Sequence, residues 1–219
     1  MALEKQYCES SNQAGKLLAV VLALHLRAGE KVAWFVSGGS SIPIAHDAIR
    51  LLDNTDNLRV LIVDDKYRDE DGIGINQAIL QNEKLPSGTE LLLPSYTGSL
   101  SVDTERYDTK VNECIIWADC SIGQFGIGEG YHTGGILPGA RNIIESANFV
   151  AGYQVEGQVS ITITPKCVRR LNVIFVNSFG ESKRELVQHF LKSKETVINE
   201  PTQILKEAQR TILVSDVLH

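Results

Sequence analysis

The sequence has little with which to cross-link itself or to hold a metal through sulfur. Its four cysteines, Cys8, Cys114, Cys120 and Cys167, are widely spaced and none forms a C-x-x-C pair, which sets aside zinc-ribbon and thioredoxin-like readings. Free thiols sit most simply in a reducing compartment, so a cytoplasmic protein is expected. Positive charge is not in excess either: 21 Lys and Arg stand against 27 Asp and Glu, a net charge of -6. That argues against broad capture of nucleic acid or of an anionic membrane, while leaving room for a local basic pocket. There is no long hydrophobic run. The longest, Leu17–Leu24, is about a third of a membrane span. Met1–Glu9 has two acidic residues and no apolar stretch, so no secretory leader is expected. Internal repeats, low-complexity tracts and linkers are missing, and no cluster of His, Asp and Glu along the chain suggests a metal or other cofactor.

What is present is an ordinary globular composition, 43% hydrophobic and 22% charged over 219 residues. The length suits a single domain spanning 1–219. Ala14, Leu17, Leu18, Val21 and Leu24 recur at helical spacing after the possible caps Ser10 and Ser11, predicting a helix over 10–28 with that set inward. Further helices are expected over 43–52, 73–82 and 103–118. The last has Tyr107, Val111, Cys114, Ile115 and Ala118 on one face. Another helix is expected after Gly180, with Leu186, Val187, Phe190 and Leu191 inward. Short apolar runs predict strands over 31–36, 58–63, 89–93, 159–164, 171–176 and 211–214. Residues 123–139 read as a glycine-rich segment. Alternating strands and helices imply a three-layer, Rossmann-like, mostly parallel sheet with helices on both faces and a small additional β segment.

In such sheets ligands gather at the carboxyl ends of the strands. Three polar or glycine-rich segments are expected there. Ser37-Gly38-Gly39-Ser40-Ser41 lies between a strand and a helix, where glycines let the backbone approach a ligand and the helix start offers free N–H groups to a phosphate. It carries neither the P-loop nor the G-x-G-x-x-G pattern, and a plain tight turn is the other reading. Asp64-Asp65-Lys66 ends a buried strand. Adjacent carboxylates can raise one pKa and supply an acid or base, or the triplet can be a solvated turn continuing into the charged residues 68–71. Gly126-Ile127-Gly128-Glu129-Gly130-Tyr131-His132 brings a histidine, suited to general-base work, among glycines that permit an irregular loop; a loop histidine bonded to backbone is the alternative. Lys183 falls in the first turn of a predicted helix, where it opposes the helix dipole. It is either an anion-binding group or an exposed lysine.

In this order, these segments resemble the 6-phosphogluconolactonase and glucosamine-6-phosphate deaminase superfamily. Its members carry S-G-G-S-T-P after an early strand, then D-E-R or D-E-Y, then G-x-G-x-D-G-H, and finally G-x-x-K before a late helix. Here these are matched by Ser37–Ser41, Asp64–Lys66, Gly126–His132 and Gly180-Glu181-Ser182-Lys183. Pro201-Thr202-Gln203-Ile204-Leu205 is similar to the late P-A-x-x-L segment. The likeness covers about residues 10 to 215. After the histidine, the deaminase branch has a segment like I-A-F-N-E-P, whose glutamate assists ring opening, whereas the lactonase pattern is like H-T-A-S-L-F-P-G. His132-Thr133-Gly134-Gly135-Ile136-Leu137-Pro138-Gly139 is nearer the second, with Leu137 where the deaminase glutamate would stand.

The resemblance implies a hydrolase of a sugar-phosphate lactone without cofactor or metal. His132 and Asp64 would be catalytic, and Ser37, Gly38, Gly39, Ser40, Ser41, Lys66, Gly126 and Lys183 would bind substrate. A small-molecule sugar phosphate is the expected partner, with no nucleic acid and no membrane, for a monomer or small homo-oligomer. The alternatives are a deaminase or isomerase of the same superfamily and a non-catalytic sugar-phosphate sensor. The chain departs from the pattern at five places. Gly130 replaces an aspartate, and Tyr131 replaces a glycine. Lys66 replaces an arginine, a point charge for a planar two-pronged donor. Ile42 holds the place of the loop proline, with Pro43 next. Ser160 stands where an arginine of the phosphate site would be, leaving Arg141, Arg169 or Arg170 as candidate substitutes.

Overall fold

The computed structural model describes residues 2–66, 74–81, 85–155 and 157–218. In chain order the elements are β1 (Ala2–Tyr7), α1 (Ser11–Arg27), β2 (Val32–Val36), α2 (Ile42–Ile49), β3 (Leu58–Ile62), β4 (Asp64–Lys66), α3 (Ile75–Gln81) and β5 (Glu90–Leu92). They continue with α4 (Leu100–Trp117), β6 (Cys120–Gly126), α5 (Arg141–Ile144), β7 (Val150–Val155), β8 (Gln158–Ile163), α6 (Pro165–Val168), β9 (Val173–Asn177), α7 (Arg184–Lys192) and β10 (Arg210–Ser215). Seven strands form one parallel sheet in the order β1-β10-β9-β6-β2-β3-β5, with helices on both faces. The expected additional β segment is a three-stranded antiparallel sheet, β4-β8-β7. Among the described residues no helix is long and apolar enough to cross a membrane.

Strands buried on both faces need continuous apolar runs rather than alternation. β2 and β9 meet that demand, being buried along their whole lengths. After β3 the chain adds β5 on one side of β2; β6 then returns to the other side, followed by β9 and β10. The strand order therefore reverses between β2 and β6, and the segments leaving their carboxyl ends are Ser37–Ser41 and Ile127–His132.

Several expectations are corrected. β1 and β7 were not foreseen. Residues 120–126 are a central strand rather than the start of a glycine-rich loop, with Gly123 leaving room that the Phe125 and Leu171 side chains fill. Asp64–Lys66 is not a turn, because it pairs with β8. In α1 the inward residues are Ala14, Leu18, Val21, Leu22 and Leu26, while Leu24 is 65% exposed. The helix expected over 73–82 begins at Ile75, and its predicted ends, like the charged run 68–71, lie outside the described residues.

β3 ends where a side chain takes over from a strand. β5 pairs β3 only as far as Leu61. At Ile62 the buried Tyr107 hydroxyl of α4 accepts the backbone N–H at 3.0 Å and donates to the carbonyl at 2.7 Å. Removing that hydroxyl leaves two buried backbone groups unpaired, at about 1–3 kcal/mol for each unsatisfied group. Tyr107→Phe should accordingly lower the urea midpoint with an unchanged m-value.

Candidate active site

A cleft of about 990 Å³ opens over the carboxyl ends of β2, β6 and β9. Every residue assigned to the site from sequence borders it: Ser37, Gly38, Gly39, Ser40, Ser41, Asp64, Lys66, Gly126, His132 and Lys183.

The loop after β2 is held from beneath and from the side. Gly39 is left-handed (φ 59), and the chain then turns through Gly39–Ser41 directly into α2. Ser41 is buried; its Oγ accepts from Asn177 Nδ2 at 3.1 Å and its carbonyl accepts from Gln124 Nε2 at 2.8 Å. Ser41 therefore props the loop, while Gly38, Gly39 and Ser40 form its rim. At Gly38 a Cβ would lie 2.1 Å from Asn76 Oδ1, so any larger residue there must displace the Asn76 amide. Asn76 in turn donates to the Asp64 carbonyl at 2.7 Å.

The two adjacent aspartates have separate tasks. Asp65 is 1% exposed. Its Oδ1 accepts the N–H groups of Lys66 and Asn76, and its Oδ2 accepts the Gln77 N–H and the Tyr96 hydroxyl. It thus anchors the start of α3. Asp64 faces the cleft. Burial, more than the neighbouring Asp65, pushes its carboxyl up to about 7, against the opposing pull of Lys66 and a hydrogen bond from Ser37. A cleft carboxyl whose pKa is raised by burial is a candidate for proton exchange.

Asp64 has a measurable signature in stability. Its folded pKa lies above its ordinary value of 3.8, so the folded state holds the extra proton. The stabilisation linked to that proton is complete below the unfolded pKa and is lost as pH rises through about 7. Asp64→Asn should therefore gain stability over the parent as pH increases from 5 to 8, read as a growing difference in urea midpoint. A constant difference would show that Asp64 ionises normally.

His132 ends a tight loop. Gly128 N–H donates to the His132 carbonyl at 2.9 Å, and Tyr131 N–H donates to the Gly128 carbonyl at 3.1 Å. His132 Nδ1 lies 2.7 Å from the Glu129 carbonyl. A carbonyl only accepts, so Nδ1 carries the proton and the neutral ring keeps its lone pair on Nε2, the form a general base needs. The ring packs on Gly128, where a Cβ would fall 2.1 Å from Cε1 and 2.2 Å from Nε2. Tyr131 is the single non-glycine among the described residues with left-handed backbone, φ 62, a conformation that costs on the order of 1–3 kcal/mol. Its side chain does not border the cleft. Instead it stacks on His189 of α7, with centroids 4.3 Å apart.

Lys183 sits just before α7 and brings a cation to the same cleft as the loop after β2. No arginine among the described residues joins it. Arg141 pairs with Glu145 and Arg169 with Glu207, and neither they nor Arg170 border the cleft, so the three candidate substitutes are set aside. At the arginine position Ser160 is buried and hydrogen-bonds the Tyr153 side chain; both face the cleft.

Sequence reasoning missed Asn76, Tyr153 and Asn177. Asn177 could have been found, since it ends the buried strand β9, by the rule that pointed to Ser37. Among the described residues one cluster could hold a metal ion, His25, Glu30 and Cys120, contrary to the expectation of none. It does not border the cleft, and both His25 ring nitrogens are already engaged, with Glu30 at 2.6 Å and Cys120 at 3.6 Å.

The profile of a family described as glucosamine-6-phosphate isomerases/6-phosphogluconolactonase matches residues 8–214. The solved structure of a 6-phosphogluconolactonase from Shewanella baltica superposes with a TM-score of 0.82 at 12% identity, covering 98% of both chains. The 6-phosphogluconolactonase of Thermotoga maritima gives 0.76 at 14% identity, covering 98% of this chain and 99% of the other. A monomeric glucosamine-6-phosphate deaminase gives 0.78 at 17% identity, covering 98% of each. No curated protein matches at the level of sequence. At such identities the likeness to the solved structures is one of fold.

Proposed function

Because the chain belongs to the glucosamine-6-phosphate isomerase/6-phosphogluconolactonase family, we propose that it hydrolyses the ring ester of a sugar-phosphate lactone, with His132 as general base. The observation that carries this reading is the His132 ring. It is tied at Nδ1 to the Glu129 carbonyl and borders the same cleft as the glycine loop and Lys183.

The phosphate is assigned to the backbone N–H groups of 38–40 and the Ser40 hydroxyl, with Lys183 as counter-charge, since Ser37 gives its N–H to the Gln124 carbonyl and its hydroxyl to Asp64. The lactone carbonyl then lies by His132. Nε2 takes a proton from water as the water oxygen bonds to the carbonyl carbon. The negative charge on the carbonyl oxygen is met by Lys66 or by loop N–H groups. Collapse of the tetrahedral intermediate breaks the ring C–O bond, and the imidazolium returns its proton to the departing ring oxygen. Asp64, its pKa raised by burial, is assigned as the second group able to exchange a proton in the cleft.

Leu137 supports lactone hydrolysis over deamination. It borders the cleft after His132, and an alkyl side chain cannot shuttle the protons of ring opening. Paired assays test the proposal. Hydrolysis of 6-phosphogluconolactone above its spontaneous rate, with no ammonia from glucosamine-6-phosphate, is the expected result. Ammonia release would favour the deaminase. Thermal stabilisation by sugar phosphates without turnover would identify a sensor.

A further inference from the structure

We propose that Tyr131 and His189 form a clamp that positions His132 relative to Lys183. Four observations build it. First, the backbone at Tyr131 is left-handed and follows a left-handed Gly130; a bulky residue holds that conformation only where its surroundings fix it. Second, the fixing contact is a stack on the His189 ring at 4.3 Å and 28°. Third, the His189 ring is itself held, with Nε2 2.6 Å from Glu200 Oε1. Glu200 is 7% exposed, and its other oxygen accepts from Ser193 Oγ at 2.6 Å and Gln203 Nε2 at 2.9 Å. The chain from Tyr131 to Glu200 thus ends in a buried, fully bonded carboxylate that cannot drift.

Fourth, the clamp joins two elements that bear on the same ligand. Tyr131 directly precedes His132, and His189 lies on α7, the helix that directly follows Lys183. Of the two ring partners neither borders the cleft. Any influence on turnover therefore passes through the base and the cation they connect, which makes both positioning residues rather than catalytic ones. The resemblance to the lactonases places a glycine where Tyr131 stands, so the clamp is a property of this chain. Its effect on turnover rests on the lactonase reading; the clamp itself does not.

Two readouts keep these apart. In protein labelled with 15N-histidine, long-range 1H–15N correlations report the His132 tautomer whether or not lactone is hydrolysed, and the His132 signals are assigned by their loss in His132→Ala. The parent should show a single Nδ1-protonated form. Tyr131→Gly, which suits the left-handed backbone and so preserves the fold, and His189→Ala should both give broadened or mixed-tautomer signals. Their kcat should fall about tenfold or more with KM changed far less. Tyr131→Phe, which keeps the ring, should rescue both readouts relative to Tyr131→Gly. Unchanged His132 signals in Tyr131→Gly overturn the clamp, even if kcat falls, because the loss then does not act through the base. Altered signals in a parent without lactonase activity would keep the clamp and remove the lactonase reading. If His189→Ala does not fold, Tyr131→Gly and Tyr131→Phe decide the matter alone.

Discussion

Replacing His132 with alanine should lower enzymatic lactone hydrolysis by roughly 100- to 10,000-fold, the contribution of a positioned general base, while phosphate binding survives. The two effects separate because the groups occupy different elements. The loop assigned to phosphate follows β2 and rests on Ser41, Asn177 and Gln124, whereas His132 hangs on the loop after β6, where its ring bonds the Glu129 carbonyl. The loss should appear in kcat, with thermal stabilisation by inorganic phosphate retained. A variant that hydrolyses lactone at the parental rate would remove His132 from the mechanism.

Gly128→Val should be nearly as damaging while leaving the His132 side chain chemically intact. The backbone at Gly128 is extended, φ -90 and ψ 165, so any residue can adopt it and the fold should persist. The obstacle is local: the new Cβ would occupy the place of the imidazole, 2.1 Å from Cε1. The ring must leave, and displacing a catalytic group by about 1 Å can cost on the order of 100-fold. We expect a loss of that order in kcat/KM with an unchanged melting temperature. Parental activity in Gly128→Val would mean that the productive ring position lies elsewhere.

The fold was legible wherever burial leaves a one-to-one mark on sequence. Val32–Val36 and Val173–Asn177 are buried along their whole lengths, and Val32–Val36 and Val173–Val176 read as continuous apolar runs. β6 lies at the centre of the same sheet yet reads Cys-Ser-Ile-Gly-Gln-Phe-Gly. Its strand character comes from partners on both sides, β2 and β9, which outweigh intrinsic propensity. In α1 two neighbouring apolar stripes compete, and spacing alone could not choose Leu22 and Leu26 over Leu24.

The site was legible for the same reason that its segments are polar or glycine-rich at strand ends. Asn76 was not, because its place depends on Asp65 bonding the first N–H groups of α3. Tyr131 stood out as a departure, but its destination did not, since His189 belongs to a distant part of the chain. Asp64 was picked for its place at the end of a buried strand, and the pKa effect expected from its neighbouring carboxylate is smaller than that of burial.

The pairing of β1 with β10 has a consequence for the order of assembly. β1 has one neighbour in the sheet, β10, with Ala2 opposite Arg210 and Tyr7 opposite Ser215, and Arg210 grips Glu4 through both of its carboxylate oxygens. β1 thus has no template until β10 has been made and has added to β9. Contacts between such distant segments are slow to form. β1 is therefore made well before its template, and refolding should end with the docking of this edge, after the cleft at the centre of the sheet has already formed.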